Sequence, residues 1–373
     1  MVNIKENDIL TKGLKIISEL APEPTYVVGG YIRNRILGKD NIDADIVSKN
    51  LDLPQKFARK FNSKIYSLRE KFLYRVHKKK YSWDFTPLKQ DINSDLKRRD
   101  FKCDAMAVEI NNLFSGDIQK NLIDPFNGLD DVKNKVLTPV KEDIFVHDPI
   151  RIIRAYRLKN EIGFKISENL NNLIKEQASQ LKQEKGERIT KELEKIFENP
   201  KDSIIMEMAE KDIFKEIFSK TRPEVKIKQI LARYKKTNKI EDKFLLMLGA
   251  VWDSSDIGER LKISNKKQKI LNEFMKENKD IFNCWMRWGK KTEQIFLSRY
   301  IITGNERILK VLDKNKQNIL KKNKPVISGK EVMKIQNIPS CPKVGLILRE
   351  ILKGQFKGKI TTHKDAVRYI KKK

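Results

Sequence analysis

Asp43 and Asp45 flank a single alanine, shortly after the glycine pair Gly29-Gly30 and the arginine Arg33. On a strand, residues i and i+2 point to the same face, so these two carboxylates can share a divalent cation. A third acid, Asp84, sits between Trp83 and Phe85 in an apolar-acid-apolar run that could pair beside the first strand. The glycine turn lets backbone N–H groups approach a phosphate, and Arg33 follows on the first turn of a helix whose start favours anions. Hard oxygen donors suited to magnesium beside an anion site are an arrangement for metal-assisted phosphoryl transfer. Singly, each feature has a plainer explanation, a turn or a solvated acid face; their order is more specific.

The elements that must position these residues are legible as periodicities. Residues 4–20 have the spacing of an amphipathic helix, PTYVVGG that of a short apolar strand, and IDADIVS and KKYSWDFTP alternate as strands. DAMAVEI fits either helix or strand, and the turn-rich LIDPFNGLDDVKNKVLTPV closes a first domain near residue 139. From Asp148 onward nearly everything has helical spacing, interrupted at Asn199-Pro200, Pro223 and Pro325. In DPIRIIRAYR, Asp148, Arg151, Arg154 and Arg157 recur every third residue and fall within one half of a helix. Alone, that stripe reads as a basic face with a capping Asp before Pro149. The fold class is therefore α+β at the N-terminus followed by an all-helical remainder.

At 373 residues the chain exceeds what one core usually supports, so several domains are expected. Its 79 Lys and Arg against 50 Asp and Glu leave a net charge of +29, which points to a large polyanion as partner. A bias toward Lys, Asn and Ile explains many lysines but not the shortage of balancing acids. Cys103, Cys284 and Cys341 lie far apart and only three histidines occur, which argues against a zinc site or disulfide framework. The His147-Asp148 doublet lacks the further histidines that a metal phosphohydrolase needs. The N-terminus carries no basic-then-apolar leader and no run of about 18 apolar residues occurs, so a soluble, cytoplasmic protein is expected.

The Gly-Gly turn, arginine-bearing helix, D-x-D strand and later h-D-h strand together resemble the polymerase β-like nucleotidyltransferases. DLKRRDFKCDAMAV, DPFNGLDDVKNKVLTPV, DPIRIIRAYRLKNEIGF and ERITKELEKIF then follow in order, and RLKISNK and the last forty or so residues add weaker matches. The chain thus resembles the class II tRNA nucleotidyltransferase and poly(A) polymerase family. The resemblance implies a mixed-sheet head over 1–139, a helical neck over 140–208, a body over 209–290 and a tRNA-binding tail over 291–373.

The same resemblance implies residue roles. Gly29, Gly30 and Arg33 would meet the incoming triphosphate, and Asp43 and Asp45 would bind catalytic Mg2+, with Asp84 as a third catalytic acid. Arg99 would bind the nucleotide and Asp100 the ribose hydroxyls. Asp148 and Arg151 would pair with the base edge while Arg154 and Arg157 face the nucleotide, a chemistry their donors and acceptors permit. The implied reaction adds CMP, with AMP left open, from CTP and ATP to a tRNA 3′ end. Poly(A) polymerase activity is the alternative within the family, and a non-catalytic RNA-binding protein the alternative outside it. Departures from the family pattern are Asn34 in place of Asp, Lys102 and Asp104 in place of Thr and Asn, and His147 in place of Glu. The short interval between Asp84 and the RRD motif resembles the reduced lid of CC-adding members. Oligomeric state is open.

Overall fold

The computed structural model describes residues 9–21, 24–69, 73–218, 220–237, 240–253, 257–276 and 280–372. Residues 4–8 of the expected first helix lie outside that set. The chain forms two compact units, 1–184 and 185–373.

The first unit is built on a six-stranded mixed sheet. Its strands are β1 (Thr25–Val28), β2 (Asp43–Ser48), β3 (Lys64–Arg69), β4 (Leu73–Lys78), β5 (Tyr81–Pro87) and β6 (Ala107–Glu109), in the spatial order β3-β4-β5-β2-β1-β6. β2 and β5 run parallel and every other neighbouring pair is antiparallel. One face is apolar: Val27, Ile46, Val76 and Trp83 are fully buried and Ala44 and Phe85 nearly so. That face packs under α1 (Ile9–Leu20) and α3 (Leu53–Lys60), where Phe57, Phe61, Trp83 and Phe85 meet at ring-centroid distances of 5.2 to 5.7 Å. Gly13 is required for this approach, because a Cβ there would lie 2.3 Å from the Trp83 ring.

Between β1 and β2 runs α2 (Gly30–Ile36). After β5, Asp91 caps α4 (Ile92–Leu96) by accepting from the Ser94 amide at 3.0 Å. Leu88, Ile92 and Leu96 pack with Val28 and Val47 in one buried cluster. The short interval between Asp84 and the RRD motif contains this capped helix, held in the core by Leu88, Ile92 and Leu96.

The first compact unit includes the residues expected as the head and the start of those expected as the neck. α5 (Gly128–Asn134), α6 (Ile144–His147), α7 (Arg151–Ile162) and α8 (Glu168–Gln177) continue it, and β7 (Val136–Leu137) pairs in parallel with β8 (Lys165–Ile166). That pairing ties the expected neck back onto the end of the expected head, so compact packing ends near residue 184. The ambiguous DAMAVEI segment resolves as a one-turn 3-10 helix at Lys102–Asp104 followed by β6, which pairs with β1.

The second unit is helical throughout its described residues. Its helix Lys243–Val251 is buried on every side from Phe244 to Val251, as its unbroken apolar sequence requires. Arg299, with no exposed surface, pairs with Glu273 at 3.2 Å, and Arg287 and Lys276 reach the same carboxylate at 2.8 and 2.9 Å. The last three helices, Gly329–Gln336, Pro342–Phe356 and His363–Lys371, close around Val332, Ile347, Ile351, Ala366 and Ile370.

Candidate active site

The open face of the sheet carries the acids. Asp45 on β2 stands in register with Asp84 on β5, and Asp43 with Ser82, whose hydroxyl donates to the Asp43 carboxylate. Asp43 and Asp45 are exposed while Ala44 between them is buried, as strand alternation demands. Asp45 is exposed by surface area but has protein closely around its carboxylate. That partial desolvation raises its pKa; Arg99 opposes the rise, and Asp84, Asp104 and Asp43 add to it. A carboxylate in that position gains by acquiring a cation.

Asp84 differs from its neighbour. Arg75 on β4 lies opposite it, and Nε and Nη2 of Arg75 each donate to one carboxylate oxygen at 2.6 Å. This bidentate geometry is the strongest form of the pair, and hydrogen bonding to Asp84 raises the Arg75 pKa. Asp84 is therefore brought beside Asp45 as the strand pattern foretold, but both its oxygens are occupied. Arg75 escaped the sequence reading because nothing local links it to Asp84; only the β4-β5 register does.

The glycine turn serves arginine packing. Gly29 adopts φ +73°, and a Cβ there would come within 2.4 Å of Arg99 Nη1 and 3.5 Å of Asp45 Oδ2. Glycine thus lets Arg99 lie against the turn next to the acids. The Gly29 amide is used internally, donating to the Met106 carbonyl at 3.0 Å. Arg33 is buried, its Nη1 donating to Asp104 and its Nε and Nη2 to Asn34 Oδ1 at 3.1 and 2.9 Å. Asn34 in turn donates to Asn41 at 3.1 Å. The two departures at positions 34 and 104 therefore meet on one guanidinium: the amide stands at 34 and the acid at 104. Arg33 braces the turn from below.

The RRD motif is held from behind. Lys102 N donates to the Thr138 carbonyl and Val140 N to that of Asp100, while Asp131 accepts from the amide and hydroxyl of Thr138 at 3.0 and 2.9 Å. Asp124 caps α5 by accepting from the Gly128 and Leu129 amides at 2.7 and 2.9 Å, and a Cβ at Gly128 would strike the Lys102 carbonyl at 2.1 Å. The turn-rich DPFNG stretch is thus the brace that presents Arg99 and Asp100 to the site.

On α7, Arg151, Arg154 and Arg157 share the half-exposed stripe that their spacing predicts. Arg151 Nη2 donates to the Arg98 carbonyl at 2.8 Å and Nε lies 3.5 Å from Asp148; Arg154 Nε lies 3.1 Å from Asp100 Oδ2, and Arg157 pairs with Glu161 at 3.4 Å. Asp100 is buried, which works against its charge, but Arg154, then Arg151, a backbone N–H and Arg99 hold its pKa below the usual carboxylate range. Arg99 Nε, Asp100 Oδ2 and Arg151 Nε are buried without hydrogen-bond partners. Asp100 Oδ2 and Arg151 Nε have ion-pair partners in Arg154 and Asp148 without well-aligned hydrogen bonds, so a ligand could still complete them.

The donor set fits magnesium. Asp43 and Asp45 offer oxygen ligands with no competing sulfur or imidazole, and Asp45 is an acid the fold leaves short of positive charge. Among the described residues no three His, Cys, Asp or Glu side chains form a complete protein-only metal site.

Sheet, turn, acids and arginines together define a polymerase-type nucleotidyltransferase head. A family model described as "Poly A polymerase head domain" matches residues 25–93 and 69–138, and one described as "Probable RNA and SrmB- binding site of polymerase A" matches 163–227. A CC-adding tRNA nucleotidyltransferase of Halalkalibacterium halodurans is 32% identical over 195 residues, covering 51% of this chain and 49% of that protein. An A-adding tRNA nucleotidyltransferase of Aquifex aeolicus is 30% identical over 168 residues, covering 40% of this chain and 20% of that protein. This chain thus spans about half the length of the first relative and a fifth of the second. The solved Thermotoga maritima CCA-adding enzyme complexed with tRNA shares the fold, with TM-score 0.66, 23% identity and 97% of each chain covered. Over residues 25–138 and 163–227 the chain is thus similar to the tRNA nucleotidyltransferase and poly(A) polymerase family.

Proposed function

We propose that this protein transfers CMP, and AMP where the site admits it, from CTP and ATP to the 3′ end of tRNA. The observation that carries the reading is the meeting of Asp45 and Arg99 at the Gly29 turn, with Asp43 on the same strand face and α7 tied to the RRD segment through Arg151 and Arg154. In this reading the RNA 3′-hydroxyl attacks the nucleotide α-phosphate, the bond to the β-phosphate breaks, and pyrophosphate leaves. Asp43 and Asp45 would hold magnesium, which supplies Lewis-acid stabilisation of the charge developing on the phosphate oxygens. Arg99, lying against Gly29, binds the triphosphate from the side that Arg33 supports. Asp148 and Arg151 offer an acceptor and donors to the base edge, and Asp100, fixed by Arg154, faces the ribose. Arg33 acts here as a brace, since its guanidinium is already filled by Asp104 and Asn34.

The interval around the core-packed helix at Ile92–Leu96 is short, which favours CC addition, and the α7 face supplies the groups that would read the base. The relatives named above add CC, A or CCA, which keeps all three open to one experiment. Full-length protein is incubated with tRNA transcripts ending before CCA, after C and after CC, with each nucleotide alone and with magnesium. Growth by one to three nucleotides supports the reading, and arrest after two C residues assigns CC addition. Long ATP-only tails on any RNA would replace it with poly(A) synthesis. RNA binding without any growth would leave a binding protein.

A further inference from the structure

The row of side chains on the open face continues past the acids. Tyr66 on β3 stands opposite Arg75, Arg75 opposite Asp84, and Asp84 opposite Asp45, so all four occupy one face. β3 is the edge strand, three strands from β2, which at ~4.8 Å per strand puts Tyr66 about 14 Å from Asp45. Tyr66 is 49% exposed and Leu68 is 50% exposed. Lys64 and His77, paired across β3 and β4, are exposed on the same side. Behind them Val76 and Trp83 are fully buried, so the core on the other face is already complete.

Along this row the surface changes from acid to base and then to an aromatic. Charges and bulges protect an edge strand from unwanted pairing, and β3 has Lys64 and an irregularity between Ser67 and Arg69; the exposed Tyr66 serves neither purpose. We propose that the β3-β4 end of the face carries the 3′-terminal strand of the RNA being extended, with Tyr66 stacked on a base behind the reacting hydroxyl. This rests on the function proposed above, which puts that hydroxyl at Asp43 and Asp45. A stacked strand advances ~3.4 Å per nucleotide, so about 14 Å corresponds to about four nucleotides. Exposed aromatics on a sheet face stack unpaired bases with little regard to their identity. The sugar-phosphate backbone is repelled by Asp43 and Asp45 when no cation is bound, Arg75 and Asp84 neutralise one another, and the sign of the surface turns in its favour at Lys64. Arg75 uses Nε and Nη2 on Asp84, and Nη1 is not part of that clamp.

The test uses the full chain and short RNA acceptors carrying 2-aminopurine at each of the last six positions. A fluorescence change on binding that is largest about four nucleotides from the 3′ end, kept in Tyr66→Phe and lost in Tyr66→Ala, is expected. In Tyr66→Ala the KM for RNA should rise roughly tenfold, with the KM for CTP and kcat within about twofold of wild type. A fluorescence profile without positional preference, or one that Tyr66→Ala leaves unchanged, overturns the stacking site whether or not wild type extends RNA. Failure of wild type to extend any acceptor falls instead on the proposed function, and the fluorescence profile still decides the path of the strand. A Tyr66-dependent dimer in sedimentation, without that profile, assigns the edge to a second copy of the chain and also overturns the proposal.

Discussion

In the head, Asp45 stands among Asp43, Asp84 and Asp104 with its pKa raised, whereas near the C-terminus Glu331 and Asp365 are pulled down to about 2. Glu331 accepts from the Ser328 amide and hydroxyl at 3.0 and 2.7 Å, and Asp365 from the Thr361 and Thr362 amides at 3.0 and 2.9 Å, each completing a helix capping box. Carboxylates of the tail are thus satisfied by their own backbone, while Asp45 is surrounded by more negative charge than it is paired with. A fold invests its acids in caps where only shape is needed, and leaves them short of partners where a cation is to be received.

The comparison is broken most directly at the acids of the head. Asp43→Ala with Asp45→Ala should lower nucleotide transfer by at least ~1,000-fold, since it removes the ligands of the charge-stabilising ion. Affinity for tRNA, followed by filter binding, should change little; retained activity in the double variant would sink the metal-site assignment. Asp45→Asn tests the other half. Because the folded pKa of Asp45 lies above its unfolded value, its contribution to stability is full below the unfolded pKa and is lost as pH rises through the folded one. Without divalent ions, Asp45→Asn should therefore melt above wild type at neutral pH and converge with it under acid.

A second contrast lies between acids that wait for a cation and one buried among cations. Glu273→Gln leaves Arg299 buried without its counter-charge and should cost about 3–5 kcal/mol in urea unfolding. Combining it with Arg299→Met should recover most of that loss, and no recovery would mean that packing dominates.

The Arg33 brace gives a smaller effect of the same kind. Asp104→Asn removes the acid partner of a buried guanidinium and should destabilise the protein by about 2–4 kcal/mol. Asn34→Asp in the same chain returns a carboxylate to Arg33 from the other side and should restore stability and transfer together. If the double variant is no better than Asp104→Asn, positions 34 and 104 are not exchangeable supports.

The smallest effects belong to the caps. Ser328→Ala and Thr362→Ala should each cost about 1 kcal/mol. Since Glu331 and Asp365 have folded pKa values below their unfolded ones, their support is present above the unfolded pKa and fades as pH falls from about 4.5 toward about 2. Acid unfolding followed at Trp285, 5.0 Å from Phe356, should show wild type losing its advantage over the two cap variants across that window.

The alternation around Ala44 told in advance that Asp43 and Asp45 share a face, and the spacing from Arg151 to Arg157 told that they share a stripe, because both follow from the repeat of a single element. The helical character of the chain after residue 148 followed in the same way. Segments read as independent were not. The run between Asp84 and Arg98 was legible as short, but its polar residues hide that Leu88, Ile92 and Leu96 converge on the core. The pairing of residues 136–137 with 165–166 was not legible, because β7 and β8 have two residues each, too few for a period to register.

Sequence by itself determined which residues are able to do chemistry here, since residue type and local period are properties of the chain. Tertiary structure alone decided how each is employed. Arg75 reaches Asp84 through strand register, and Asp104 reaches Arg33 across 71 residues of sequence. Gly29 is a glycine because Arg99 must pass it. Such pairings depend on which elements pack together, and a charge acquires its role only when packing fixes how many opposite charges share its surroundings.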